Sequence, residues 1–267
     1  MNKSFALCVV TYYPENHLMA RLSTAVSMGY EVYVYDNTPG GCRWDTEPLL
    51  QGIHWMGAKA NHGMGKALHE LLQTVQQSEM ASALYLDQDT DFTEETLRWM
   101  DHWLMVHPEA LHQWAALNFL PSKKSSECIS SDVLMVSAGT LFGMQSLSKI
   151  GGHNVGWFLE CVDYEWCGRA MKLGYRLGRV KGCLGLDHQR FQPEDSIKLF
   201  GQSRHFRLYP GHRSWAFLRG LFYLGSWGLI QGMPRYAWAC YRNGLTHIAD
   251  QLRALCLLGI KRWGVSS

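Results

Sequence analysis

The feature that most limits how this chain can fold is the alternation of short β-rich runs with amphipathic segments over its first two thirds. Aromatic and β-branched residues in segments 5–13, 30–37 and 83–89 predict strands. Between them, segments 15–29 and Gly63–Gln77 carry apolar residues at helical spacing. Strands that alternate with helices favour a largely parallel sheet covered on both faces, so the sequence predicts an α/β fold.

Later segments continue the pattern. We expect strands at residues 53–57, 114–119 and 132–142, and helices at 93–108 and 161–174, the first of them capped by Thr93. There is no internal repeat and no low-complexity linker, and the one break in composition falls near residue 200. The sequence therefore predicts one large domain, residues 1–200, followed by a smaller appendage, residues 201–267.

Polar residues should gather at the end of this sheet where ligands bind. In open α/β sheets, the ligand site lies at the carboxyl ends of the strands. Four polar clusters are predicted to close strands and to share one rim: Thr11-Tyr12, Asp36-Asn37, Asp87-Gln88-Asp89 and Ser137-Ala138-Gly139.

The acidic cluster at Asp87 and Asp89 suits a cation. Carboxylates two residues apart at a strand end face the same way, and hard divalent cations prefer oxygen ligands. The alternative is a solvated acidic loop, because Asp91, Glu94 and Glu95 follow.

Two other clusters suit a nucleotide. An acid at the tip of the second strand, here Asp36 beside Asn37, is typical of ribose or base binding, and the alternative is an Asx turn before Pro39. The segment from Asn61 to Ala67 has glycines at positions 63 and 65, where a helix begins. Such a junction lets backbone approach phosphate or base, although the segment matches neither GxGxxG nor a P-loop.

Candidate catalytic, metal-binding and diphosphate-binding residues lie later in the chain. Asp163 opens a helix, where a carboxylate is able to act as a general base; the alternative is a capping role together with a Glu165–Arg169 pair. His188 is a candidate metal ligand, and arginines behind it are candidate diphosphate ligands.

Charge and composition limit the class of protein and the kinds of surface that it could bind. The 47% hydrophobic content excludes a disordered chain. Residues 201–267 hold nine Lys and Arg but one acid, Asp250, a net charge of +8, which leaves −6 on the first 200 residues. A basic, aromatic end favours an anionic membrane surface or nucleic acid. The apolar run in the tail contains four glycines and a proline, so we do not expect it to span a membrane.

The cysteines and the N-terminus indicate the compartment. Cys8 and Cys256 lie in apolar runs and are predicted to be reduced core thiols, and no CxxC motif occurs. The first apolar run, about six residues, is shorter than a secretory leader requires. These features together predict a cytoplasmic protein.

Taken together, the motifs resemble a family 2 glycosyltransferase of the GT-A fold, over about residues 5–215. The matching sequences are VVTYYPE, VYVYDN, NHGMGKA, LYLDQDT, SAGTLF, VDYEWCGRA and RLYPGHR. The pairing of LDQDT with VDYEWC and Arg169 is similar to a bacterial rhamnosyltransferase-like subgroup. The resemblance implies a mixed, mainly parallel, Rossmann-like sheet flanked by helices, with a C-terminal helical appendage.

The resemblance also implies roles for individual residues. Asp163 would be the catalytic base, Asp89 and His188 would ligate Mg²⁺ or Mn²⁺, and Arg207 and Arg213 would touch the diphosphate. Seven residues would bind the nucleotide: Thr11, Tyr12, Asp36, Asn37, Asn61, Gly63 and Asp87. Residues 1–200 would form the catalytic, nucleotide-sugar-binding domain.

The implied activity is inverting, metal-dependent transfer of rhamnose or another hexose. A nucleotide diphosphate sugar would be the donor, and a lipid-linked or other saccharide the acceptor, in bacterial O-antigen or capsule synthesis. The tail would hold the enzyme peripherally on the inner face of the cytoplasmic membrane, or else pack on the catalytic domain or form a homodimer. A different hypothesis is a non-catalytic module that binds nucleotide sugar, or nucleic acid through the basic tail. We do not expect nucleic acid, because the basic residues are spaced by apolar runs.

Overall fold

The computed structural model describes residues 3–42, 52–78, 80–121, 129–183, 186–188, 195–199 and 202–262. The strands are β1 (Ala6–Thr11), β2 (Val32–Asp36), β3 (Ile53–Met56), β4 (Ser82–Asp87), β5 (Thr90–Asp91), β6 (Ala116–Pro121), β7 (Ile129–Asp132), β8 (Thr140–Gly143), β9 (Leu177–Cys183), β10 (Asp187–His188), β11 (Asp195–Leu199) and β12 (Gln202–Phe206). The helices are α1 (Asn16–Ser27), α2 (Gly63–Gln77), α3 (Glu94–Val106), α4 (Ala110–Gln113), α5 (Met144–Ile150), α6 (Val162–Lys172), α7 (Gly211–Ile230) and α8 (Pro234–Arg262).

An eight-stranded mixed sheet organises the first part of the chain, in the order β3-β2-β1-β4-β8-β6-β9-β7. Strands β1 to β4 run parallel to one another, and β6 is parallel to β9. Strands β8 and β7 are the antiparallel members. This sheet, flanked by helices, confirms the predicted fold class.

The strand sequences explain the layers. Every residue of β1 is buried, as expected for a strand covered on both faces. Leu7 and Val9 belong to a core that also holds Leu22 of α1 and Met100 of α3. Because side chains alternate along a strand, the residues between them face the other layer, where α2 packs on β1, β2 and β4.

The helices begin and end where local chemistry predicts. Helix α2 has the predicted bounds, with Leu68, Leu71, Leu72 and Val75 on its buried face. Thr93 caps α3: its hydroxyl accepts a hydrogen bond from the Thr96 backbone N–H at 3.2 Å. The Thr96 hydroxyl in turn accepts from the Thr93 backbone N–H, which completes a reciprocal cap of the kind expected at this position.

The predicted strand over residues 132–142 is wrong. Only Asp132, the last residue of β7, and Thr140 to Phe142 in β8 are extended strand. Leu134, Met135 and Ala138 between them are buried without joining a ladder: the Met135 backbone N–H donates to Cys167 Sγ at 3.4 Å. Gly139 has a φ of +72°, which breaks an extended run. The apolar pattern of this segment therefore reflects packing in the core and not strand formation.

The chain divides into two compact units, Met1–His188 and Gln189–Ser267. The second contains the β11–β12 hairpin and the paired helices α7 and α8. The helices approach closely where glycines face rings, because a Cβ on Gly225 would lie 2.7 Å from the Tyr241 ring. The expected helical appendage is therefore present. The expected boundary at residue 200 falls outside the described residues, so the division into catalytic domain and tail stays a prediction.

The prediction that Cys8 and Cys256 are reduced core thiols is confirmed for one of them and wrong for the other. None of the seven described cysteines forms a disulfide, and Cys8 is fully buried as predicted. Cys256 is exposed on α8, so its prediction as a core thiol is wrong: the apolar run around it is wound into a helix with an outward face. Among the described helices, none is both long and apolar enough to cross a membrane.

Candidate functional site

The carboxyl ends of β2, β1 and β4 lie side by side. Asp36 is the strand partner of Thr11, and Asp87 is the partner of Val10. The sheet therefore places the predicted residues Thr11, Asp36 and Asp87 on one edge, as expected for parallel strands.

The segment from Ser137 to Gly139 reaches the same edge by a different route from the one predicted. It does not close a strand: it precedes β8, which is antiparallel to β4 and pairs Thr140 with Tyr85. The Gly139 N–H donates to the Tyr85 carbonyl at 2.9 Å, so the segment sits beside the end of β4. An antiparallel strand brings its start to the edge where a parallel strand brings its end.

Asp36 organises the turn after β2. Its Oδ1 accepts hydrogen bonds from the Thr11 hydroxyl at 3.0 Å and the Thr38 hydroxyl at 2.7 Å. The Thr38 backbone N–H donates to the same oxygen at 3.1 Å, and the Cys42 N–H donates to Oδ2 at 2.8 Å. The bond from the residue two positions on is an Asx turn, the structural interpretation of this acid. The carboxylate is 6% exposed and is held by four donors.

Asn37, Asn61 and Gly63 are brought together beside this turn. The Asn37 side-chain amide donates to the Gly63 carbonyl at 3.3 Å and accepts from the His62 N–H at 3.1 Å. Asn61 Oδ1 accepts from the Gly63 N–H at 3.0 Å. The three residues predicted to line a nucleotide are thus one hydrogen-bonded group, with Asn61 exposed.

The glycines at the start of α2 make room for the protein's own backbone. A Cβ on Gly63 would lie 2.3 Å from the Phe158 carbonyl oxygen, and one on Gly65 would lie 2.3 Å from that of Trp157. The N–H groups of Met64 and Gly65 donate to these two carbonyls. These N–H groups are therefore already paired within the protein. This corrects the expectation that the glycines open the helix start to a phosphate.

The turn after β4 is ordered by two hydrogen-bonded bridges, and the acids that follow it, Glu94 and Glu95, are exposed as the alternative of a solvated acidic loop expects. Gln88 accepts from the Tyr12 N–H at 2.8 Å and donates to the Tyr12 carbonyl at 3.1 Å. Arg21 pairs with Asp91 and donates to the carbonyls of Thr90 and Gln88. The ring of Tyr12 stays 47% exposed at the rim.

The hydroxyl of Tyr85 is hydrogen-bonded to a carboxylate at the end of β4. That hydroxyl donates to Asp87 Oδ1 at 2.8 Å. Burial raises the pKa of Tyr85 well above its ordinary value, and the negative charges of Asp87, Asp163 and Asp89 raise it further. Tyr85 therefore stays protonated, and acids from the end of β4 and the start of α6 both act on its hydroxyl through their charge.

Asp163 lies in the first turn of α6, where the helix dipole favours an acid. Its Oδ1 accepts a hydrogen bond from the Ser137 hydroxyl at 2.5 Å. The Glu165–Arg169 pair expected as the structural alternative is present, at 2.8 Å. Arg169 also donates to the carbonyls of Ile150 and Gly152, so it fastens α6 to the segment after α5.

The acids that the sequence analysis assigned to a cation lie at the end of β4 and in the turn after it. Asp87 and Asp89 offer carboxylate oxygens, and His188 in β10 pairs with Thr90, the neighbour of Asp89. Within the described ranges, no group of three or more His, Cys, Asp or Glu side chains surrounds a point that could hold an ion. In phosphate chemistry Mg²⁺ and Mn²⁺ take one or two carboxylates and complete their shell with phosphate and water, so a bound metal stays a prediction here.

The two predicted diphosphate ligands lie together in the second unit. The guanidinium carbons of Arg207 and Arg213 are 5.1 Å and 5.6 Å from the centre of the Tyr209 ring. Gln251 of α8 fixes this segment, because it accepts from the Tyr209 N–H and donates to the Arg207 carbonyl. The arginines thus form a cationic pair on one aromatic ring.

Three residues of the site were not identified from the sequence: Tyr85, Arg21 and His153. Arg21 had a signal, since it is the one Lys or Arg in segment 15–29. Tyr85 lies in a buried strand and His153 in a glycine-flanked loop, and neither position has a pattern that separates it from core.

No protein-family model matches this sequence, and no curated protein sequence matches it significantly. Among solved structures, the crystal structure of S. aureus TarS 1–349 is similar with 15% identity and a TM-score of 0.48 over 68% of this chain. The chain spans 58% of that structure. Mannose-1-phosphate geranyltransferase from Thermus thermophilus is similar with 11% identity and a TM-score of 0.40, over 70% of this chain and 76% of that one. Likenesses at this level carry no weight in assigning residue roles, which rest on the geometry above.

Proposed function

We propose that this protein is an inverting, metal-dependent glycosyltransferase that uses a nucleotide diphosphate sugar. The observation that carries the proposal is that Asp163 accepts a hydrogen bond at 2.5 Å from Ser137, in the segment that sits beside the end of β4, where Asp87 lies and Asp89 follows. A base and a cation-binding pair beside one strand end are what sugar transfer from a diphosphate requires.

In the proposed reaction, Asp163 accepts the proton of an acceptor hydroxyl. The acceptor oxygen then forms a bond to the anomeric carbon while the bond from that carbon to the diphosphate oxygen breaks. Attack comes from the face opposite the leaving group, so the anomeric configuration inverts. The nucleoside diphosphate leaves with the bonding electron pair, and the proton remains on Asp163 until solvent removes it.

The nucleotide is proposed to bind along the edge formed by β1 and β2. The exposed ring of Tyr12 offers a stacking face, and Thr11, Asp36 and Asn37 hold the turn beside it. Asn61 and Gly63 close the other side, and Asp87 faces the ribose or a metal-bound water. The internal hydrogen bonds of the turn support this proposal, because a turn that is already ordered loses less conformational entropy when the nucleotide binds.

Asp89 and His188 are the proposed metal ligands, with Asp87 alongside. When bound, Mg²⁺ or Mn²⁺ neutralises the charge of the departing diphosphate. Arg207 and Arg213 are proposed to bind the diphosphate oxygens, for which guanidinium groups are well shaped.

A transfer assay tests this function. The full chain is incubated with a panel of nucleotide diphosphate sugars, including a rhamnose donor, with Mn²⁺ and lipid-linked saccharide acceptors. Release of nucleoside diphosphate is measured for the wild type, Asp163→Asn and the control Asp250→Asn, an exposed acid in α8. We expect activity in the wild type and in the control alone. Donor binding without turnover in every arm would favour the alternative, a non-catalytic binding module.

We further propose that α7 and α8 bind the inner face of the cytoplasmic membrane, where a lipid-linked acceptor for surface polysaccharide would lie. Large apolar side chains are exposed on both helices: Trp215, Phe222, Tyr223, Ile230, Trp238, Leu245 and Leu252. Basic residues lie among them, including Arg219, Arg235 and Arg242. An exposed mixture of aromatic and basic residues, in helices too polar to span, is typical of interfacial helices.

A further inference from the structure

The Asp163 carboxylate is hydrogen-bonded to a short chain of two polar side chains, Ser137 and His153. The Ser137 hydroxyl donates to Asp163 Oδ1 at 2.5 Å, and the same hydroxyl lies 3.4 Å from Nε2 of His153. Ser137 and His153 are 4% and 1% exposed. Neither residue contributes to the steps described above, although both are buried and polar, and each such group needs a reason to be there.

The hydrogen-bond roles in this chain follow from chemistry. A hydroxyl has one hydrogen, and if Ser137 gives it to the Asp163 carboxylate, its oxygen accepts from the next partner. That partner is His153, which must then carry its hydrogen on Nε2. No described group pairs with His153 Nδ1, which in this tautomer is a bare lone pair rather than an unpaired N–H.

His153 is held as a neutral ring. It stacks on Trp166 with centroids 5.8 Å apart and meets Phe142 edge to face at 5.5 Å. Burial lowers the pKa of His153 to about 3, and the charges of Arg169 and His69 add to this. A neutral imidazole donates one hydrogen bond in a fixed direction and adds no charge beside the carboxylate.

The Ser137 backbone is also fixed. Asn118, 1% exposed, donates through its side-chain amide to the Ala138 carbonyl at 2.8 Å and to Thr140 Oγ1 at 2.8 Å. The Thr140 N–H donates to the Ser137 carbonyl at 2.9 Å. Every link from the sheet to the Asp163 carboxylate is therefore a hydrogen bond between buried or half-buried groups.

We propose that Ser137 and His153 are positioning residues, which hold the Asp163 carboxylate in one rotamer through a His153–Ser137–Asp163 hydrogen-bond chain. The proposal rests on the proposed function of Asp163 as the base. The chain moves no proton: the Ser137 hydrogen stays directed at Oδ1, and the acceptor proton is taken by Oδ2. Because the Asp163 carboxylate is already oriented, it does not have to change rotamer when the acceptor binds.

The first test removes one hydroxyl. Ser137→Ala is expected to lower kcat about 10- to 100-fold, the value of a hydrogen bond to a charged group, and to leave the donor KM within about 2-fold. Ser137→Thr restores the hydroxyl and is expected to recover most of the rate. The control is Ser146→Ala: Ser146 is 5% exposed and its hydroxyl donates to the backbone carbonyls of Ala115 and Gly143. This control should lose stability but keep kcat.

The second test asks whether His153 acts through Ser137. His153→Phe keeps an aromatic ring but no N–H, and His153→Gln keeps an N–H donor, so we expect the first to lower kcat and the second to lower it less. In the double variant Ser137→Ala/His153→Phe, the loss should equal that of Ser137→Ala alone. Multiplied losses in the double variant would overturn the chain.

The outcomes separate this inference from the function on which it rests. If Asp163→Asn is inactive but Ser137→Ala keeps kcat within 2-fold of the wild type, the positioning role is wrong and the base remains. If Asp163→Asn itself retains turnover, the assignment of the base fails first.

Discussion

The Thr11 hydroxyl donates to Oδ1 of Asp36 at 3.0 Å, directly across the pair of parallel strands β1 and β2. Neither residue is a neighbour of the other in sequence, and both are almost fully buried. This bond ties two strand ends together at the edge where we propose the nucleotide binds. It also makes Asp36 part of the fold itself, whatever it contributes to a ligand.

Asp36→Ala should therefore lower stability even without ligand. The change removes the acceptor of four hydrogen bonds and leaves buried donors unpaired, and we expect a loss of about 3 kcal/mol in the free energy of unfolding. Thr38→Ala removes one donor and should cost about 1 kcal/mol. Urea unfolding followed by circular dichroism measures both. Equal stability of Asp36→Ala and wild type would contradict the structural role.

Asp163→Asn should abolish turnover but spare donor binding. The amide cannot accept the proton, and general-base help is worth roughly 10²- to 10⁴-fold in rate. Asp163 lies in α6, whereas the proposed donor contacts lie at the ends of β1, β2 and β4 and at the start of α2. Calorimetric donor affinity should therefore stay within about 3-fold, the scatter expected for a site that loses no donor contact. Near-normal turnover would show that another group is the base.

Metal removal should stop the reaction. We expect no nucleoside diphosphate release in excess EDTA and recovery on adding Mn²⁺, because the departing diphosphate loses its counter-charge. Asp89→Asn should raise the Mn²⁺ concentration needed for half-maximal rate by at least about 10-fold, since Mg²⁺ and Mn²⁺ sites of this type use few carboxylates. Glu95→Gln, on the exposed first turn of α3, is the matched control. Full activity in the chelator would refute the metal.

His153 should make stability depend on pH in a known direction. Its pKa is lowered to about 3 in the folded protein by burial first and nearby positive charge second. The unfolded chain binds a proton below its ordinary pKa of about 6.5 while the folded protein does not, so stability is lost as pH falls from about 6.5 towards 3. At pH 5 this loss is about 2 kcal/mol relative to pH 7.5.

His153→Phe has no such group and should lose about 2 kcal/mol less than the wild type between pH 7.5 and pH 5. Urea unfolding at the two pH values gives the comparison, and taking the difference between the proteins cancels their other titrating groups. Identical pH responses would mean that His153 is protonated in the folded state.

Membrane binding should depend on the exposed face of α7. Each large apolar side chain contributes about 1.5–3 kcal/mol when fully buried, so Trp215→Ser/Phe222→Ser/Ile230→Ser should weaken binding to phosphatidylglycerol vesicles by about 100-fold or more. Flotation of the full-length proteins measures this.

The control for flotation removes equally exposed apolar residues from the first unit, Met105→Ser/Val106→Ser. It should float like the wild type, and phosphatidylcholine vesicles should bind both proteins less than anionic ones do. Loss of binding in the control as well would point to general hydrophobicity instead of the helices.

Local chemistry made much of the fold predictable. Helix α2 was predicted to the residue because its apolar positions repeat at three and four, and Thr93 was predicted as a cap because threonine before acids favours a helix start. The segment 132–142 was mistaken for a strand because burial and strand formation leave the same apolar signature. Sequence pattern alone does not distinguish a ladder from a packed loop.

The site was predictable where it depends on strand ends and not where it depends on contacts between distant segments. The edge shared by Thr11, Asp36 and Asp87 follows from parallel strands. The glycines of α2 looked suited to a phosphate, but their real neighbours are the carbonyls of Trp157 and Phe158, roughly a hundred residues away. Nothing near Gly63 in sequence indicates that partner.

By itself, the sequence determined the α/β class, the parallel strand ends and the acids that stand there, because residue periodicity and turn chemistry act over a few residues. Only the tertiary structure decided that Ser137 enters the same edge through an antiparallel strand and meets Asp163, and that His153 lies behind it. Those contacts join residues 16 and 26 positions apart through packing against β4 and α6. Packing is a property of the whole core, so no short stretch of the chain encodes it.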